Sequence, residues 1–227
     1  MIWIQPTKSY WANRVISSYW RRMSLVGEKF GWDSWTYNSG VFQFFHDSAV
    51  KSAPGFVDAV TKEFPNVKRI LDIGCGSGAM AAEFRRRGKD AEGIEHSPKG
   101  REWAKKQGVP IGVFMLRPDG FDLPKGIPFE LCYSCEVGEH IPTPLSDRFV
   151  EFMTSCAPEV LLTSAQPGQG GTGHINEQPK SFWIEKFAAR GYVYDEARSQ
   201  RLSDALKSNP QVLPNLWKNI MAFTKRG

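Results

Sequence analysis

The sequence predicts an α/β fold: a mainly parallel sheet with helices on both faces. Three observations predict it. From Arg69 onward, short apolar runs alternate with helical patterns, which is the order that βαβ units impose. A glycine-rich turn, "GCGSG" at 74–78, follows directly on the first of these runs and opens a helix. The chain has 227 residues, of which 41% are hydrophobic and 13% aromatic, enough to bury a full core and to exclude disorder.

The elements follow in order. Residues 1–64 hold five of the eight tryptophans (Trp3, Trp11, Trp20, Trp32 and Trp35) together with "VFQFF" at 41–45. This segment reads as an aromatic-rich helical addition, either a cap packed on the domain or a lid whose residues from Trp11 to Phe45 wall an acceptor pocket. Residues 65–227 then form the α/β domain. Its strands are expected at 69–74, 90–96, 110–115, 129–136, 159–165, 192–197 and 219–225. Helices are expected near 78–87, 97–107, 144–156 and 180–190, the last with Pro179 at its first turn and Gly191 at its end.

Composition narrows the class of partner. A formal charge of +5 permits an anionic partner without requiring one. The basic run Arg85-Arg86-Arg87-Gly88-Lys89 ends a helix, where cations suit the dipole and a solvated face is the simplest reading. No apolar run approaches the roughly 18 residues of a membrane helix, and the start lacks a basic segment followed by an apolar one. A cytoplasmic location and no membrane partner are therefore expected. The four cysteines are too few for a disulfide scaffold. Cys132 and Cys135 form a CxxC, but on a strand side chains three apart point to opposite faces. They read as core thiols, and no metal is expected.

The chemistry begins at "ILDIGCGSGAM". Glycines there let the backbone approach a ligand, and the following helix N-terminus offers amide donors to an anion. A nucleotide-like ligand follows. Spacing alone leaves the dinucleotide form G-x-G-x-x-A open, through Gly74, Gly76 and Ala79. The surroundings are more specific: Asp72 sits at the strand end, and Glu95 ends the second strand, where its carboxylate can accept hydrogen bonds from ribose hydroxyls.

With these residues the sequence resembles the class I S-adenosylmethionine-dependent methyltransferases over about 65–225. "LDIGCGSG" is similar to their first motif, "GIEHSP" to the second and "CEVGEHIP" to the E-x-x-E-H-I-P of the fourth strand. The resemblance implies a Rossmann-like, seven-stranded mixed sheet whose last strand inserts antiparallel after a short connection. It implies S-adenosylmethionine as cofactor and S-adenosylhomocysteine as product. The methionine part would lie on Asp72, Gly74, Cys75, Gly76 and Gly78, the ribose on Glu95 and the adenine near His96, with Cys135 on the same side. Asp119 and Asp122 in the third loop give no clean match to an adenine-side acid.

After the fifth strand, "PGQGGTGHINEQP" resembles a subgroup of these enzymes found in phage, algal-virus and bacterial sequences. Its glycines would let the loop close over the cofactor with His174 and Asn176 aimed at the methyl group. Methyl transfer from a sulfonium is a displacement, so a hydroxyl acceptor must be aligned and deprotonated. His174 is the expected general base, with His140 its rival and Glu139 beside it as a catalytic acid residue; Asn176, Gln178 and Glu136 are expected on the substrate side.

Several absences narrow the acceptor: no (D/N)-P-P-(Y/F) stands after the fourth strand, no Pro-Cys pair occurs and no C-x-x-x-C-x-x-C. O-methylation of a small molecule or sugar hydroxyl is the preferred reading. Methylation of a nucleic acid or protein and a catalytically silent cofactor-binding protein are alternatives. A nicotinamide dehydrogenase is remote, since Tyr-x-x-x-Lys is missing. Monomer and homodimer stay open.

Overall fold

The structure is a computed structural model that describes residues 39–171 and 173–227. Helix α1 (Ser39–Glu63) leads into strand β1 (Arg69–Ile73), and helix α2 (Ala79–Arg86) into β2 (Asp90–Glu95). Helix α3 (Pro98–Lys106) and β3 (Ile111–Val113) follow, then a small hairpin of β4 (Leu116–Arg117) and β5 (Gly120–Phe121). The second half contains β6 (Leu131–Cys135), α4 (Ser146–Cys156), β7 (Glu159–Thr163), α5 (Lys180–Ala188) and β8 (Tyr192–Tyr194). Helices α6 (Glu196–Lys207) and α7 (Pro214–Asn219) lead to β9 (Met221–Lys225).

The main sheet has seven strands in the order β3-β2-β1-β6-β7-β9-β8. Pairings from β3 to β7 are parallel, with Arg69 opposite Asp90 and Cys132 opposite Val160. Strand β9 enters antiparallel between β7 and β8, with Leu161 opposite Ala222 and Val193 opposite Thr224. The expected mixed sheet with its antiparallel last strand is therefore present.

Alternation along each strand feeds two cores, as expected for a sheet covered on both faces. Ile70, Leu131 and Tyr133 face α1, α2, α6 and α7, where Phe56, Phe84, Leu202 and Leu216 are buried. Leu71, Ile73 and Cys132 face α4 and α5, where Phe149, Phe152, Trp183 and Phe187 are buried. Each such aromatic contributes about 1.5–3 kcal/mol on burial, so either core alone outweighs any surface ion pair. Cys135 packs against the first core and Cys132 lies in the second, as the two-residue period requires.

Two departures have physical reasons. The strand expected at 192–197 stops at Tyr194 because the Asp195 side chain accepts from the Arg198 amide and starts α6. Helix α1 lies inside the segment expected to be a cap, yet Phe56, Val57, Val60 and Phe64 belong to the first core, so it is a layer of the α/β fold. The lid expected at Trp11 to Phe45 lies largely outside the described residues. The basic run behaves as a solvated face: Arg86 and Arg87 pair with Glu83, and Arg87 with Asp58.

Candidate active site

The carboxyl ends of β1, β2, β6 and β7 place two glycine-rich segments side by side. In the first, Gly74, Gly76 and Gly78 all have positive φ, which a β-carbon disfavours. Their surroundings differ. A β-carbon at Gly74 would stand 2.6 Å from Val137 and one at Gly78 2.8 Å from Ala104, whereas Gly76 has nothing within 4 Å. Gly76 thus fronts open space, whereas Gly78, expected to touch cofactor, sits where α2 packs closely on α3.

Glu95 clamps this turn. Its Oε2 accepts from the Gly76 amide at 2.8 Å and its Oε1 from the Ser97 amide at 2.7 Å. Burial raises its carboxyl pKa against those two hydrogen bonds. The expected ribose contact would use the remaining lone pairs of an already engaged carboxylate. Asp72, buried beneath the turn, accepts from the Tyr133 hydroxyl at 2.8 Å. Burial pushes its carboxyl up to about 7, with the Glu95 charge acting in the same direction and the Tyr133 hydrogen bond opposing. Cys75 is packed against Gly93, His96 is exposed with Nδ1 3.3 Å from the Phe114 carbonyl, and Cys135 is raised well above the usual thiol range by burial. Asp119 and Asp122 pair with Arg117 on the exposed hairpin.

Sequence reading missed His46. From α1 it reaches the turn, with Nδ1 3.0 Å from the Ser77 hydroxyl and its ring 4.9 Å from that of Trp103. No local motif announces such a contact across 31 residues.

The second segment, between β7 and α5, brings His174 to His140. Their rings meet edge-on with centroids 5.1 Å apart. His140 Nδ1 lies 3.1 Å from the Gly173 carbonyl, and since a carbonyl only accepts, Nδ1 carries the proton. Burial, then the neighbouring His174, lower the His140 pKa to about 4. His174 Nδ1 lies 3.0 Å from Glu177 Oε1. Glu177, absent from the sequence reading, also accepts from the amides of Gly168 and Gly170 at 2.9 and 2.7 Å. Burial would raise its carboxyl, but the hydrogen bonds from His174, Gly168 and Gly170 outweigh it and lower the pKa. The signal for Glu177 was its place three residues after a loop histidine.

The other expected site residues divide. Glu139 is fully buried; its Oε2 accepts from the Ser164 hydroxyl at 3.2 Å, while Oε1 has no hydrogen-bond partner and lies 3.9 Å from His174 Nε2. Burial first, and the Glu136 charge second, raise its carboxyl well above the usual range. Glu136 follows directly on β6 with φ 54, a left-handed conformation rare outside glycine. Its carboxylate accepts from Gln169 and Asn219, each at 3.0 Å, which ties the loop to the end of α7.

Asn176 corrects an expectation. It is 1% exposed, and its amide nitrogen donates to the Gly138 carbonyl and the Ser146 hydroxyl while its oxygen accepts from Thr143 and Gln178. With every partner supplied by the protein, Asn176 anchors the loop and does not face an acceptor; Gln178 is held by the same bond. A groove of about 750 Å³ lined by Pro118, Pro142, Leu145, Arg148 and Arg190 includes no residue of either glycine segment.

A family described as "Methyltransferase domain" matches residues 44–199, more than half of the chain. The chain belongs to this methyltransferase family. An uncharacterized methyltransferase of Mycobacterium sp. (strain KMS) is 36% identical over 87 residues, covering 38% of this chain and 34% of that protein. A ubiquinone biosynthesis O-methyltransferase of Cereibacter sphaeroides is 28% identical over 135 residues, covering 54% of this chain and 51% of its own length. The chain thus spans less than two thirds of either of these relatives. Among solved structures, CalS10 of Micromonospora echinaspora, an amino pentose methyltransferase with S-adenosylmethionine bound, superposes with a TM-score of 0.59 at 17% identity. That match covers 84% of this chain and 98% of CalS10 and supports the fold. No helix among the described residues is long and apolar enough to cross a membrane.

Proposed function

We propose that the chain transfers the methyl group of S-adenosylmethionine to a hydroxyl of a small molecule or sugar, leaving S-adenosylhomocysteine. The observation that carries this reading is that both glycine segments meet the turn after β6: Val137 packs on Gly74, and three residues later His140 meets His174. A cofactor seated at Gly76 would then present its methyl toward the histidine pair. The kinship with methyltransferases and the likeness to an O-methyltransferase over half its length support it.

In this reading the Asp72–Gly78 turn takes the methionine part and Glu95 the ribose. The acceptor oxygen attacks the methyl carbon as the S–C bond breaks, and the electron pair returns to sulfur. Glu177, bonded to Nδ1–H of His174, orients the ring so that Nε2 takes the hydroxyl proton.

Calorimetry with S-adenosylmethionine, S-adenosylhomocysteine and NAD, followed by an S-adenosylhomocysteine release assay on phenols, sugars and amino sugars, tests the reading. Binding of the first two, no binding of NAD and turnover with hydroxyl acceptors are expected. No binding of either sulfur compound overturns the whole reading; turnover with amines alone overturns its hydroxyl half.

A further inference from the structure

At the ends of β6 and β7, three side chains point ligand atoms at one another. Donor atoms of Glu139, His140 and His174 all lie within 4.8 Å. Both imidazoles are fixed in the same sense, because the Gly173 carbonyl holds Nδ1–H of His140 and the Glu177 carboxylate holds Nδ1–H of His174. Each ring is therefore left with the Nε2 lone pair as its free donor. This pairing of ring N–H with a carbonyl or carboxylate is how metal-bound histidines are oriented.

The third donor is the anomaly. Glu139 Oε1 is fully buried without a hydrogen-bond partner, an arrangement that ordinarily destabilises a fold unless something fills it. Its distance of 3.9 Å to His174 Nε2 is too long for a hydrogen bond. Two ligands of one cation, each at about 2.1 Å, stand roughly 3–3.5 Å apart, so modest side-chain rotation brings the set into register. Gly171 supplies a further fact: a β-carbon there would stand 2.3 Å from His174 Nε2 and cover it. Glycine at 171 keeps that nitrogen open.

We propose that Glu139, His140 and His174 form a divalent-cation site, with Glu177 and the Gly173 carbonyl orienting its histidines. Two imidazoles and one carboxylate suit manganese, iron, cobalt, nickel or zinc better than magnesium or calcium. Three protein ligands leave positions open, as in a catalytic site. Binding of the cation does not depend on the methyl-transfer reading, but its use rests on that reading. The acceptor hydroxyl coordinates the cation and gives its proton to water. The resulting oxygen anion forms the O–CH3 bond as the S–CH3 pair passes to sulfur. The cation acts as a Lewis acid with no change of valence, and His174 Nε2 is then a ligand in place of a free base.

The test is a titration of the full chain, stripped with a chelator, using Co2+ read by its visible absorption and Zn2+ and Mn2+ read by calorimetry. One equivalent should bind. His140→Ala, His174→Ala and Glu139→Gln should each weaken it at least a hundredfold, and Glu177→Gln by about 10–100-fold. Gly171→Ala should weaken it while its circular dichroism spectrum stays that of the wild type, which shows that the variant is folded. Asp119→Asn, on the exposed hairpin and outside the ligand cluster, should bind as the wild type does. No stoichiometric binding, or binding that survives loss of both histidines, overturns the site. Binding with turnover that chelator leaves intact overturns its use, and absence of S-adenosylhomocysteine binding overturns only the methyl-transfer reading.

Discussion

The turn after β1 and the loop after β7 each depend on one carboxylate that gathers backbone amides, Glu95 those of Gly76 and Ser97, Glu177 those of Gly168 and Gly170. They differ in what else the carboxylate holds. Glu95 has backbone partners and an open glycine beside it; Glu177 has His174 as a third partner. Burial dominates at Glu95 and raises its pKa, whereas hydrogen bonds dominate at Glu177 and lower it. Glycine spacing alone therefore says that a backbone must bend closely. The side chain on the organising carboxylate is what distinguishes the two segments.

The largest effect should come from separating the two segments by mutation. His174→Ala is expected to lose turnover by roughly 10² to 10⁴ while binding S-adenosylmethionine normally. His140→Ala, at the same edge, should lose turnover likewise, because both imidazoles belong to the proposed cation site. Steady-state kinetics beside calorimetry decides the matter: a loss of cofactor affinity as large as the loss of turnover would make the two segments one site.

On the other side of the comparison, Glu95→Ala should weaken S-adenosylmethionine by about 1.5–3 kcal/mol, the range for hydrogen bonds to a charged group. Gly76→Val should do more, because φ there is +53 and the added side chain occupies the open space. Turnover at saturating cofactor should change far less than affinity. Wild-type affinity in both variants would remove the turn from the cofactor site.

What the sequence made legible was local. Alternating apolar runs predicted all seven strands of the main sheet, and the strand-turn-helix context of Gly74 to Gly78 predicted the bend, because both depend on neighbours within a few residues. The partners that decide roles lie far along the chain. Asn176 read as acceptor-facing because it is polar and in a loop, yet its fate is set by Gly138 and Ser146, 38 and 30 residues away. Glu136 is likewise held by Asn219 across 83 residues. Helix α6 was legible and passed over: Asp195 is a capping residue, and Leu202 and Leu206 are one turn apart on the buried face.

The smallest expected effect concerns Asp72, which distinguishes the binding turn by charge. Its carboxyl is pushed up to about 7 in the folded chain, from about 3.9 unfolded. Folding therefore binds a proton in the window between these values. Stability due to the protonated acid is fully present below about pH 4 and is lost as pH rises through about 7. Between pH 6 and 8 that loss integrates to about 1.4 kcal/mol for one group. Asp72→Asn keeps a neutral acceptor for the Tyr133 hydroxyl and should lack this fall, so melting curves of the two proteins at pH 6 and 8 should diverge at the higher pH, with the variant the more stable. Cofactor should reverse the trend in the wild type, because a sulfonium and an ammonium favour the ionised carboxylate and their binding expels the proton. S-adenosylmethionine affinity should then rise with pH across the same window in the wild type and stay level in Asp72→Asn. Equal pH dependence in the two proteins would show that the proton on Asp72 plays no part in either folding or binding.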